Sequence, residues 1–204
     1  MRPRLSRTLS SLALLALAAA CASAPKLPPG ADNPGLAAQD ELKSVNPCEV
    51  AVLRVENRTQ QGGLPLDALR KHFHAGLVER HYSPLALAYV DKHYTGGAAA
   101  EASYVPGSSE EHAVLKVVLT GWDDKLWKSH ARLVVDADVW LIDAAAGVGT
   151  EPLWGGHVSR TMDMARLREF TPGDGPLLDR TMEDFADQVL ASLPARRSDL
   201  ASAR

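Results

Sequence analysis

The chain has 204 residues, a formal charge of −3 and 46% hydrophobic residues, an ordinary globular composition that excludes disorder throughout. Setting aside Arg2, Arg4 and Arg7 of the leading segment leaves a balance of about −6, the wrong sign for phosphate binding, so nucleic acid is excluded as a partner. Two cysteines and seven scattered histidines show no metal-ligand spacing, so no metal is expected.

Arg2, Arg4 and Arg7 precede an apolar run from Leu9 to Ala20, and Ala18, Ala19 and Ala20 lead into Cys21. Residues 1–20 read as a secretory signal peptide, too short to span a bilayer. The cysteine after the small residues resembles a bacterial lipobox. That resemblance implies a diacylglycerol thioether on Cys21, which becomes an acylated first residue after cleavage. The pattern prefers Leu three positions before the cysteine; Ala18 stands there, with Leu17 one step earlier. An ordinary secretory signal, cut near Ala20 or Ala24, is the alternative. Acyl chains at about 0.8 kcal/mol per buried CH₂ would hold the protein on a membrane, and this covalent lipid is the only expected prosthetic group. Retention signals for the inner membrane usually place Asp after the cysteine. Ala22 stands there, so the expected location is the outer membrane, facing the periplasm.

Residues 21–48 read as the lipidated cysteine and a Pro-rich tether, with Pro25, Pro28, Pro29, Pro34 and Pro47 and no periodicity. Such a linker would average about 30 Å as a coil and about 80 Å as extended chain. Cys48, beside Pro47, reads as a small buried hydrophobe, with an intermolecular disulfide left open.

Residues 49–194 read as one domain. Its first strand is Glu49–Asn57, with Ala51, Leu53 and Val55 sharing a face. After a polar Gly loop, Pro65 opens a helix whose stripe is Leu66, Leu69, Phe73 and Leu77. Ser83-Pro84 stops it, and Leu85–Val90 reads as the second strand. Strand, helix, strand of this length implies a right-handed crossover and a parallel pair. From Lys92 to His112 the chain is rich in Gly and Ser, with a short helix expected at Ala98–Tyr104.

Three strands follow as an antiparallel meander. Ala113–Trp122 is rich in Val and Leu, as a deeply buried strand would be. Ala131–Leu141 alternates, with Ala131, Leu133, Val135, Ala137, Val139 and Leu141 on one face and Asp136 and Asp138 on the other. A turn with Gly147 and Gly149 leads to Leu153–Thr161, where Gly155-Gly156 suggests a bulge or close backbone approach. Asp163–Pro172 has no clear class. Pro176 opens a last helix with the stripe Leu178, Met182, Phe185, Val189 and Leu193, and residues 195–204 read as a disordered tail.

Several segments together resemble small bacterial envelope lipoproteins of the CsgG-like, LpoB-like and TolB amino-terminal-like families. They are Val50–Thr59, Glu79–Val90, Ala113–Trp122 and Leu141–Gly147 followed by Leu153-Trp154. Two departures are Glu111-His112, where an Ala-Asp pair is usual, and the Gly-rich run near Gly96 in place of a second helix. The resemblance implies an α/β sandwich: a five-stranded mixed sheet of order 2-1-3-4-5, a parallel β-α-β start and an antiparallel meander. Two or three helices then pack on one face. It also implies binding or assembly work in the envelope and carries no catalytic residues across.

Three functions compete. A lipid-anchored, non-enzymatic accessory to a secretion pore or cell-wall machine is favoured, with an envelope protein partner and possible homo-oligomers. A tethered periplasmic hydrolase would need two or more of His112, Asp123, His130 and His157 in one deep pocket. A ligand-binding lipoprotein would need a large apolar cavity under the sheet. For the accessory, the expected partner surface is Trp140 with Val134 and Ile142, apolar residues on the face opposite the core, with Trp122 and Trp127 as further anchors near the hairpin tip.

Overall fold

The computed structural model describes residues 39–95, 103–146 and 151–197. Cys21, the signal segment, most of the tether, the expected helix at Ala98–Tyr104 as far as residue 102, the turn at 147–150 and the tail from 198 lie outside the described residues.

The elements are α1 (Gln39–Val45), β1 (Glu49–Val52), β2 (Glu56–Asn57), α2 (Leu66–Glu79), β3 (Ser83–Pro84), α3 (Leu87–Lys92), β4 (Tyr94–Thr95) and β5 (Ser103–Tyr104), followed by β6 (Ala113–Asp123), α4 (Trp127–His130), β7 (Arg132–Asp143), β8 (Trp154–Asp163), α5 (Ala165–Arg168) and α6 (Asp174–Leu190). The main sheet runs β3-β1-β6-β7-β8, with β2 also paired to β6. β1 and β2 both run parallel to β6 and behave as one broken strand. β3 is parallel to β1, while β7 and β8 are antiparallel to their neighbours. This is the expected mixed sheet, in the expected order.

Amphipathic stripes explain the main layer. Leu69, Phe73 and Leu77 of α2 and Leu177, Met182, Phe185 and Val189 of α6 are buried against Leu115, Val117, Val135, Val139 and Leu141 of the sheet. Phe73 and Phe185 meet edge to face, with centroids 6.5 Å apart. The two helices approach so closely at Gly76 that a Cβ there would lie 2.6 Å from Leu190 Cδ1. The break between β1 and β2 is filled from α2. Arg70, only 4% exposed, donates to the Val52 carbonyl from Nε (3.1 Å) and Nη2 (2.8 Å), and its Nη1 reaches Asp91 at 2.8 Å. A buried guanidinium costs little when its donors are satisfied in this way.

Three local expectations need correction. Leu85–Val90 is not the second strand. Only Ser83–Pro84 pairs with β1, and the chain turns into α3 at Leu87. Leu and Ala are good helix formers, and one short turn places Val90 over Ala51 and Val114. Ala51, Leu53 and Val55 do not share one environment. Val50, Val52 and Val55 join the helix-side core, while Ala51 packs on the opposite side with Leu53 beside it, because the strand breaks before Val55. The tether is not structureless throughout: Gln39–Val45 is a helix with Leu42 buried at 4%. The unclassified stretch after β8 contains α5. Among the described residues, no helix is long and apolar enough to cross a membrane.

The face away from α2 and α6 is also covered, over one half. Ala51, Val90, Val114 and Ala144 form a second small core, and Leu53, Leu85, Tyr94 and Tyr104 pack against it. The β4–β5 pair supplies the two tyrosines, whose rings meet at 5.6 Å. Tyr94 is tied down further by its hydroxyl, which accepts the Arg54 N–H at 2.7 Å. Burial raises the pKa of both tyrosines. The following turn is held by the buried Glu111 carboxylate, which accepts the N–H groups of Gly107 (2.6 Å) and Ser109 (2.9 Å).

Candidate functional site

The meander's outer face, opposite α2 and α6, is where the partner surface was expected. Register places Lys116 beside Trp140 and Trp140 beside Gly155, with Asp138 between Val118 and His157. Trp140 is 4% exposed. It therefore cannot anchor a partner in this conformation, and the expectation is corrected. α3 and the β4–β5 pair cover part of this outer face, over Ala51 and Val114. Gly155 is the neighbour of Trp140 on β8. At φ +140° it lies so close to β7 that a Cβ would run into the Val139 carbonyl. The ladder beside Trp140 is thus unusually tight, as the double glycine suggested. Val134 and Ile142 are half-buried.

Trp127 is 8% exposed and belongs to the main core. Trp122 is half-buried and packs against the same core, opposite Val135. A register shift between Leu119 and Gly121 carries Trp122 to the helix side. Neither tryptophan stands out as a free anchor.

The residues that an enzyme would have needed together do not meet. His112 precedes β6 and Asp123 ends it, so an eleven-residue strand separates them, roughly 35 Å. His130 lies in the α4 turn and contacts Ser129 Oγ at 2.8 Å. His157 sits in the middle of β8 and pairs with Asp138 at 2.9 Å. His112 instead joins Glu49, with Nδ1 to Oε2 at 2.5 Å, next to the backbone N–H of Cys48 at 3.2 Å. Cys48 is half-buried, with Sγ 3.7 Å from Ser83 Oγ. Among the described residues, no three His, Cys, Asp or Glu gather in a metal-holding geometry. A pocket of about 100 Å³ lies between α1 and the end of α6, lined by Leu42, Pro47, Tyr82 and Pro194 among others; it is not under the sheet.

What sequence reasoning missed is at the margins. Phe170 is 80% exposed, with Leu167 at 40% and Leu126 at 44% near the same end of the molecule. Arg168 joins α5 to α4 there, donating from Nη1 to the carbonyls of Trp127 (3.1 Å) and Lys128 (2.7 Å). The second margin is β8. Its partner is β7 on one side, and among the described residues no strand pairs with the other side.

No family model matches the chain, and no curated protein matches it. Solved structures similar to it include the PelC dodecamer from Paraburkholderia phytofirmans, at 17% identity over 74% of this chain and 91% of that one, with a TM-score of 0.47. Another is the lipoprotein GNA1162 from Neisseria meningitidis, at 20% identity over 72% of this chain and 99% of that one, also with a TM-score of 0.47. At such identities and scores, neither likeness carries a conclusion about activity, partner or assembly.

Proposed function

We propose that this chain is a lipid-anchored lipoprotein of the bacterial envelope that works by binding, as a non-enzymatic accessory to an assembly such as a secretion pore or cell-wall machinery. The observation that carries this reading is the order basic residues, apolar run, small residues, cysteine over Arg2 to Cys21. α1 lies within the expected tether and leaves at most residues 22–38 for it. Even fully extended, that chain reaches about 50 Å, shorter than the length expected from the sequence. The domain would therefore work within about one domain diameter of the bilayer surface.

Replacing Cys21 by Ser tests the reading. Labelling with a radioactive or clickable fatty acid should be lost, and the protein should move from the membrane pellet to the soluble fraction. Retention of Cys21→Ser in the pellet after a high-salt wash would remove lipid anchoring from the account. Density-gradient separation of the wild-type chain should place it with outer-membrane markers.

A further inference from the structure

The two edges of the main sheet are unlike. β3 is two residues long and contains Pro84, two features that keep an edge from recruiting another strand. β8 is ten residues long, has no proline, and pairs with β7 in one unbroken register from Arg132↔Asp163 to Leu141↔Trp154.

The ladder shows which backbone groups of β8 point outward. Met164 N–H donates to the Ala131 carbonyl at 2.9 Å, so these two residues form a hydrogen-bonded pair of the same register. In an antiparallel ladder, hydrogen-bonded and non-hydrogen-bonded pairs alternate. Met162, Arg160, Val158 and Gly156 therefore bond to β7. Gly155, His157, Ser159, Thr161 and Asp163 turn their N–H and C=O groups away from it. The side chains of His157, Ser159, Thr161 and Asp163 are exposed on the outer face of the sheet. Of these outward carbonyls, that of Ser159 accepts the Arg160 guanidinium, Nη1 at 3.0 Å.

We infer that the β8 edge binds a second copy of this chain, β8 against β8 in antiparallel pairing about a two-fold axis near Ser159. Three features favour that occupant. The two-fold brings Ser159 against its own counterpart and His157 against Thr161, all outward-facing, so each pair exchanges both backbone bonds. No like charges are opposed. Arg160 faces Val158, whereas an axis on Arg160 would set two guanidinium groups side by side. The same register brings the start of α5 alongside the entry to β8 of the second copy. The exposed Leu167 and Phe170 beyond it are then placed to be covered at that end of the interface. The sheet then continues across the axis, with α6 of each copy on the same side.

The inference does not rest on lipid anchoring, and its test is separate from that one. The full chain in non-ionic detergent is measured by light scattering and sedimentation over a range of micromolar concentrations. The expected result is a concentration-dependent dimer. Ser159→Pro removes an outward N–H without removing a β7–β8 bond, and should leave a monomer with unchanged circular dichroism. Phe170→Ser lies outside the ladder and should weaken dimerisation by about tenfold, which keeps the test decisive should Ser159→Pro misfold. A wild-type monomer at every concentration, a closed ring in place of a dimer, or a dimer untouched by both substitutions would overturn the inference.

Discussion

Val135 and Asp136 are adjacent in β7 and belong to different environments. Val135 is fully buried under the helices, and Asp136 is half-buried on the outer face beside Gly121. Val135→Asp would leave a charge without a partner in the core, at a cost of several kcal/mol that a domain of this size does not tolerate. The expected outcome is an unfolded chain, seen as loss of the β-sheet circular dichroism. Asp136→Asn keeps the shape and should shift the urea midpoint only slightly. Equal tolerance of the two substitutions would mean that the faces are reversed. Alternation at period two made this contrast legible, because each step along a strand reverses the side chain. The same logic misled at Trp140. Its face was read correctly, but its burial depends on what lies over that face, and no pattern within β7 encodes it.

Among the elements, α1 is the clearest departure from the sequence reading. A seven-residue helix is too short to be stable alone, so its existence depends on docking. Leu42, at 4% exposure, is the side chain that docks it against the main core. The segment carries Leu42 and Val45 among polar residues, too few positions to show a stripe. Leu42→Ala should therefore cost about 2 kcal/mol in a urea titration, the low end for a buried leucine, because the site lies at the periphery. A tether with no packed part would show no change. The α2 and α6 helices were legible for the opposite reason. Each is long enough to repeat its apolar stripe several times, and each ends near proline or charged residues.

Across the whole molecule, three buried or half-buried tyrosines set an alkaline limit. Tyr82 lies between the end of α2 and the end of α6, with its hydroxyl donating to the Pro194 carbonyl at 3.0 Å. Burial pushes its pKa from 10.0 up to about 12, partly offset by the nearby Arg80 and Arg196. Tyr94 and Tyr104 are raised by the same cause. In each case the folded chain holds its proton where the unfolded chain has released it. The contribution to stability is complete below pH 10 and is lost as pH rises through the folded-state values. Urea midpoints should fall steeply above about pH 10. Tyr82→Phe should lower stability at neutral pH, through the lost hydrogen bond, yet reduce the additional alkaline loss. An alkaline slope identical to that of the wild type would show that Tyr82 does not contribute to it.

The sequence by itself determined the class of fold, the strand order implied by its resemblance, and the core faces of β7 and the two long helices. These are local or repeated signals: period two and period 3.6. Tertiary structure decided the rest. It placed α3 where a strand was expected, split Val55 from Ala51 and Leu53, and buried Trp140. It also left one edge of the sheet short and proline-bearing, and the other long and, among the described residues, without a second neighbouring strand. The physical reason is common to all of these. Whether a short apolar segment becomes strand, helix or cover depends on what surface lies opposite it, and that surface is assembled from residues far away in the chain.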